Sequence, residues 1–230
     1  MSPRIALRGA VLAVWAAFFL WLGLSGEVTR YLGPRTYWVV WFGAFVLALA
    51  VVGHLVSLRA GSPEAVRRSD VAGAVLLIAP LIALIAVPSP DLGALAAGRK
   101  STGLSSLAAS APRPENAVPG KLDFAEIHYA SESAEYAAAI GARQGTEVEL
   151  LGFVTHPKRA PQGTFALTRF YISCCAADAI PYSVFIRSTE DHTDDVWLRV
   201  EGRLGKIGDL FVVDPRSVAI TDEPKTPYLY

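Results

Sequence analysis

The chain has only two cysteines and they are neighbours: Cys174 and Cys175 open the run Cys-Cys-Ala-Ala-Asp that ends at Asp178. Thiolates prefer soft and borderline ions such as zinc and copper(I), and a nearby carboxylate can add an oxygen ligand. Cys174, Cys175 and Asp178 are therefore the candidate metal ligands, with a soft ion such as zinc as the candidate cofactor. Two other readings stand beside this one. An oxidising compartment favours redox chemistry, although adjacent Cα atoms lie only ~3.8 Å apart, short of the ~4.4 Å where disulfides ordinarily begin. Bridges strained in that way are labile and regulatory rather than structural. The third reading makes the pair small apolar residues that fill a corner.

Both sulfurs reach one ion only where the strand carrying them breaks. In an unbroken strand side chains alternate, so Cys174 would join Phe170 and Ile172 in the core while Cys175 pointed out with Tyr171. The following Ala176–Pro181 segment, AADAIP, reads as such a break. His128, His156 and His192 are available as further ligands, but at no diagnostic spacing. The paired acids Asp194-Asp195 and Glu147/Glu149 read as solvated faces. No nucleophile elbow, phosphate loop or HExxH pattern occurs, and GARQG (141–145) is too short for a phosphate loop, so the expectation is a protein that is not an enzyme.

Strands must position the cysteines. Five segments are β-rich, with alternation clearest in the first and fourth: 146–156, 165–174, 181–188, 195–207 and 209–221, the last two joined by a tight Gly208-Asp209 turn. Helix-forming composition precedes them, with a helix predicted over 131–142 and Gly141 or Gly145 to end it. One leading helix and five short strands suit a small all-β barrel of the OB-fold type, an open sandwich being the alternative. Gly152 and Gly202, each in mid-strand, would permit the coiling that barrel corners need.

The first ninety residues have another texture. Residues 9–26, 36–58 and 71–90 are apolar runs of membrane-crossing length, so the fold class expected is a membrane α-helical N-terminal region of three helices (1–90), a flexible linker (91–120) and a soluble β-barrel domain (121–230). A basic start at Arg4 and Arg8 also fits a cleaved signal peptide, but the apolar stretch is long for one and no clear cleavage site follows. Trp38 and Trp41 suit an interfacial belt, and Pro80 kinks the third run. His54 is the one titratable group deep in a run, about a turn from its end. Arg4, Arg8, Arg59, Arg67 and Arg68 against Arg30 and Arg35 place the N-terminus inside and the C-terminal domain outside the plasma membrane. Seven Arg against three acids give this part +4, and fourteen basic against eighteen acidic residues give the rest −4. A mildly acidic soluble domain is a poor partner for nucleic acid.

ELLGFV (149–154), LTRFYISCCAADAIPYSV (167–184), WLRVEGRL (197–204), the terminal EPKTPYLY and SGEVTRYLGPRTYWVVWFG (25–43) resemble the YcgQ-type family of permease subunits. The resemblance covers most of the chain and implies a companion, a multi-spanning permease subunit of the YcgR type, with a link to metal-ion homeostasis as one idea for the family. Some relatives carry a histidine-rich loop between the second and third helices; here that loop, RAGSPEAVRRSD, has none. The expectation is an accessory membrane-permease subunit, with Gly43, Ala44, Ala48 and Ala50 as helix-contact residues. The alternatives are a membrane-tethered thiol redox or metal-delivery protein acting through Cys174-Cys175, and an anchored structural domain.

Overall fold

A computed structural model describes residues 3–60, 65–86, 92–100, 113–158, 160–188, 190 and 192–230. The chain forms two compact units, Met1–Asp91 and Leu92–Tyr230.

The first unit is helical: α1 (Pro3–Ser25), α2 (Trp38–Ala60) and α3 (Arg68–Ala86). Segments Pro3–Ser25 and Pro34–Ser57 are long and apolar enough to cross a membrane, which is compatible with a membrane location. α3 starts three residues before the expected run, and the expected end at 87–90 lies outside the described residues. α1 packs along α2 by close approach: a Cβ on Gly23 would sit 2.9 Å from the Trp41 ring, and one on Gly43 3.3 Å from Phe19. Gly43 is thus used inside the chain, while Ala48 and Ala50 remain exposed. His54 is half-buried, its Cβ beside Gly9 of α1. α3 runs parallel to α1, since Arg4 and Arg8 both pair with Asp70, at 3.0 and 3.5 Å, and further along the Trp15 indole N–H donates to Leu77 O. That bond lies in the turn just before Pro80, one residue from Leu76, whose carbonyl the missing Pro80 N–H leaves without its helical donor.

The second unit is a closed five-stranded barrel in the order β1-β2-β3-β5-β4. Its strands are β1 (Glu147–Thr155), β2 (Thr164–Tyr171), β3 (Ile180–Arg187), β4 (Trp197–Ile207) and β5 (Leu210–Ile220). All pairs are antiparallel except β3 with β5, which closes the barrel through Phe185↔Val212 and Ile186↔Val213. Alternation puts Leu150, Leu167, Val184, Leu198, Val200 and Val213 in the interior, each buried. β4 starts two residues later than expected because Asp195 adopts a φ of +69°. Gly208 supplies a φ of +60° at the first place of the two-residue β4–β5 turn.

Two helices lead into the barrel where one was predicted: α5 (Phe124–Glu132) and α6 (Ala134–Ile140), giving six α-helices among the described residues once α4 (Ala94–Lys100) is counted. Ser133 is the reason. It is extended, ends α5, and accepts the Tyr136 N–H on its hydroxyl as the N-cap of α6. Asp123 caps α5 through the Glu126 N–H, and Gly141 ends α6 at φ +72°. Ile127 and Ile140, both fully buried, join the barrel core, each contributing about 1.5–3 kcal/mol.

A second cluster joins Phe153, Phe170, Ile172, Ala179, Tyr228 and Ala97 of α4, a helix within the segment expected to be a linker. The C-terminal residues lie beside the end of β2: Leu229 N donates to Phe170 O and Ile172 N to Leu229 O, at 2.8 and 3.1 Å. The Arg169 guanidinium donates to the carbonyls of Thr226, Pro227 and Tyr228, at 2.7 to 3.2 Å. Arg169→Met is expected to lower stability by about 2 kcal/mol, because the released carbonyls recover water while the strap loses its anchor. Urea unfolding of the wild type and variant measures it.

Candidate metal centre

β2 ends at Tyr171, three residues before Cys174, so the alternation that would bury Cys174 stops short of it. Cys174 is exposed and Cys175 half-buried, whereas Phe170 and Ile172 are buried; Cys174 does not follow them into the core. After Cys175 the chain makes a single 3-10 turn, Ala176–Asp178. That turn folds the Asp178 carboxylate back over the preceding backbone. Its Oδ1 accepts the Ser173 N–H at 3.1 Å, and its Oδ2 accepts the N–H groups of Cys174 and Cys175 at 2.8 and 3.4 Å. Three N–H donors on one carboxylate fix the loop in a shape that presents both thiols on one side.

Both cysteines are free thiols, with sulfurs 3.8 Å apart, and one ligand atom from each of Cys174, Cys175 and Asp178 lies within 4.8 Å of the others. Two metal–sulfur bonds of ~2.3 Å meeting at a tetrahedral angle set sulfurs about 3.8 Å apart. A linear two-thiolate site with bonds of that length needs about 4.6 Å. The spacing matches the tetrahedral arrangement. Hydrogen bonding to Asp178 and the neighbouring Cys175, with a smaller contribution from burial, pushes the Cys174 thiol up to about 11. Burial works to raise the Asp178 carboxyl, but the Cys174 thiol and the three N–H donors outweigh it and hold the group below the usual carboxylate range. A thiol raised in this way holds its proton at neutral pH, so an ion of the zinc type binding Cys174 would displace and release that proton.

Among the described residues no histidine joins this group. His156 Nδ1 faces Asp194 Oδ1 at 2.8 Å on the surface, and His192 lies edge-on to the Phe165 ring. Glu147 and Glu149 form exposed pairs with Arg203, Arg216 and Arg199, each worth little. Asp195 is the exception among the paired acids: its Oδ1 accepts the Ala94 N–H at 2.5 Å. Neither this contact nor the one from Lys100 Nζ to Ala177 O at 3.0 Å has a signature in the local pattern, since they join residues 101 and 77 apart.

His128 is structural. Its ring stacks on Tyr182 at 4.7 Å, and Nδ1 lies 3.0 Å from the Ser183 carbonyl oxygen and 3.3 Å from the Ser183 nitrogen. Burial pushes its pKa below 6.5, against the opposing Ser183 carbonyl and Glu132 charge. Above about pH 6.5 folded and unfolded states are both neutral there; below it the unfolded chain takes up a proton that the folded ring resists. Stability is therefore expected to fall as the pH drops from 6.5. His128→Gln should flatten that slope in unfolding free energies measured between pH 7 and 5.

Fold and site together define a chain with an apolar helical unit followed by a closed β-barrel unit that carries a vicinal-thiol turn. The family model of the DUF1980 C-terminal domain matches residues 110–230, and the chain belongs to that family. Neither a curated protein nor a solved structure matches it.

Proposed function

We propose that this protein is the non-enzymatic accessory subunit of a membrane permease, and that its β domain holds one zinc-type ion at Cys174, Cys175 and Asp178. The carrying observation is the 3.8 Å sulfur separation within a three-ligand group. Three protein ligands leave the fourth tetrahedral position open, which suits an ion that is received and passed on rather than locked away. The strand order with its parallel β3–β5 closure supports an OB-type barrel, a fold that works as a binding platform. For the helical unit, all three helices are read as spanning the bilayer. The broad apolar face of α2, with Trp38, Phe42, Phe45 and Leu49 exposed, supports contact with lipid and with a multi-spanning partner.

Two experiments test this reading. The full chain purified in mild detergent from its native membrane should carry a multi-spanning permease subunit with it; recovery of the chain alone counts against the partner. The thiols of the Cys174-Cys175 pair should react with a membrane-impermeant maleimide in intact cells at mildly alkaline pH, where the thiolate fraction rises. Reaction only after permeabilisation would put the β domain on the cytoplasmic side. The tethered redox reading draws on the same pair; it would show as thiol reactivity that changes with oxidant while zinc binding is absent.

A further inference from the structure

α4 is held against the barrel at three points. At its start, Asp195 accepts the Ala94 N–H, and Gly93 passes so close that a Cβ there would sit 2.3 Å from Asp195 Oδ1. In its middle, Ala97 is buried among Phe153, Phe170, Ile172 and Tyr228. At its end, Lys100 Nζ donates to Ala177 O at 3.0 Å and reaches Ala176 O at 3.5 Å. Those two carbonyls belong to the 3-10 turn between Cys175 and Asp178. Asp195 holds its φ of +69°, uncommon for a residue with a side chain, while making the first contact. Among the described residues α4 is also the first element after α3 in the chain.

We infer that Lys100 is a positioning residue of the metal centre, so that docking of α4 and occupancy of Cys174, Cys175 and Asp178 are coupled. The inference rests on the proposed metal site and adds its regulation. With Lys100 in place, both carbonyls of the turn converge on one ammonium, and the turn is held in the shape that brings the ligands together. With α4 released, the turn loses that restraint and the ligands spend only part of their time in register. Apparent affinity then falls by the fraction of time the site is assembled. Linkage makes the effect reciprocal: an ion that needs the ordered turn must in return stabilise docked α4. Any pull on α4 from its N-terminal side would loosen the ion.

The test uses the full chain in detergent, with zinc as the probe. Zinc affinity is measured by competition with a chromophoric chelator, and opening of α4 by hydrogen exchange of the 94–100 amides. Lys100→Met keeps the stem and removes the donors; it should weaken zinc about tenfold, as loss of a supporting contact does. Lys100→Arg should recover most of the affinity. Asp195→Ala, which frees the opposite end of α4, should also weaken zinc and serves if Lys100→Met fails to fold. In the wild type, zinc should slow exchange of the α4 amides by the same factor that undocking costs in affinity. Zinc binding with no change in α4 exchange, or unaltered affinity in Lys100→Met and Asp195→Ala, overturns this inference and leaves the metal site standing. Failure of the wild type to bind zinc overturns both.

Discussion

Changing Cys174 and Cys175 together to serine is expected to abolish zinc binding at micromolar concentrations while leaving the barrel folded. Neither side chain contributes to the hydrophobic clusters, and Cys174 is exposed, so little packing is lost. The loop shape is set by Asp178 and the backbone N–H groups, which serine does not disturb. Structural zinc sites bind with about 10–16 kcal/mol over four ligands, or about 3 kcal/mol for each. Each single change should therefore weaken zinc roughly 100-fold, and the double change should remove it. Equilibrium dialysis with metal analysis gives the stoichiometry, and circular dichroism checks the fold. If the double variant retained one equivalent of zinc, the ion would be held elsewhere and the assignment of ligands would be wrong.

The second large effect is on stability. Gly202 lies at the irregularity in the β4–β5 pairing, where Glu201 pairs with Ser217 and Gly202 with Pro215. A Cβ there would sit 2.4 Å from Asp214 O and 2.8 Å from Val213 Cγ1. The first of these is backbone in a paired strand, so relief requires the two strands to separate. Overpacking typically costs about 1–3 kcal/mol, and a backbone clash inside the longest ladder belongs at the top of that range. Gly202→Ala is expected to lower the unfolding midpoint by about 10 °C. Gly98→Ala is the control: it lies in α4 with nothing within 4 Å of the added Cβ and should be neutral or slightly stabilising. Equal melting of the two variants would mean that β4 and β5 approach less closely at Gly202.

The barrel was legible because its signals are local. Five β-rich segments, the Gly208-Asp209 turn and two mid-strand glycines all fall within windows of about ten residues, and all appear in the structure. Gly202 sits at the irregularity that bends β4, and both glycines are also sites where another strand's backbone comes close. Two helices replaced one because Ser133 interrupts a run whose apolar spacing continues across it. The cysteine turn was readable as a break but not as a shape. Asp178 was expected only as a ligand, yet its first role is to gather the N–H groups of Ser173, Cys174 and Cys175. Lys100 and Arg169 escaped notice, and Asp195 was read as a solvated face, because each acts on a segment more than fifty residues away, and such pairings leave no periodicity behind. The helical unit was visible in hydropathy alone, whereas the helix that Gly43 contacts required the fold.

The most direct measurement is a cobalt(II) titration of the full chain in detergent under reducing conditions, followed by visible and near-ultraviolet absorption. Cobalt is a spectroscopic stand-in for zinc in thiolate sites. The proposed site predicts saturation at one equivalent, with sulfur-to-metal charge-transfer bands of a two-thiolate site, visible bands of tetrahedral intensity, and bleaching when zinc is added. Absence of charge-transfer bands at saturating cobalt, with both thiols confirmed reduced, would contradict the shared site at Cys174, Cys175 and Asp178.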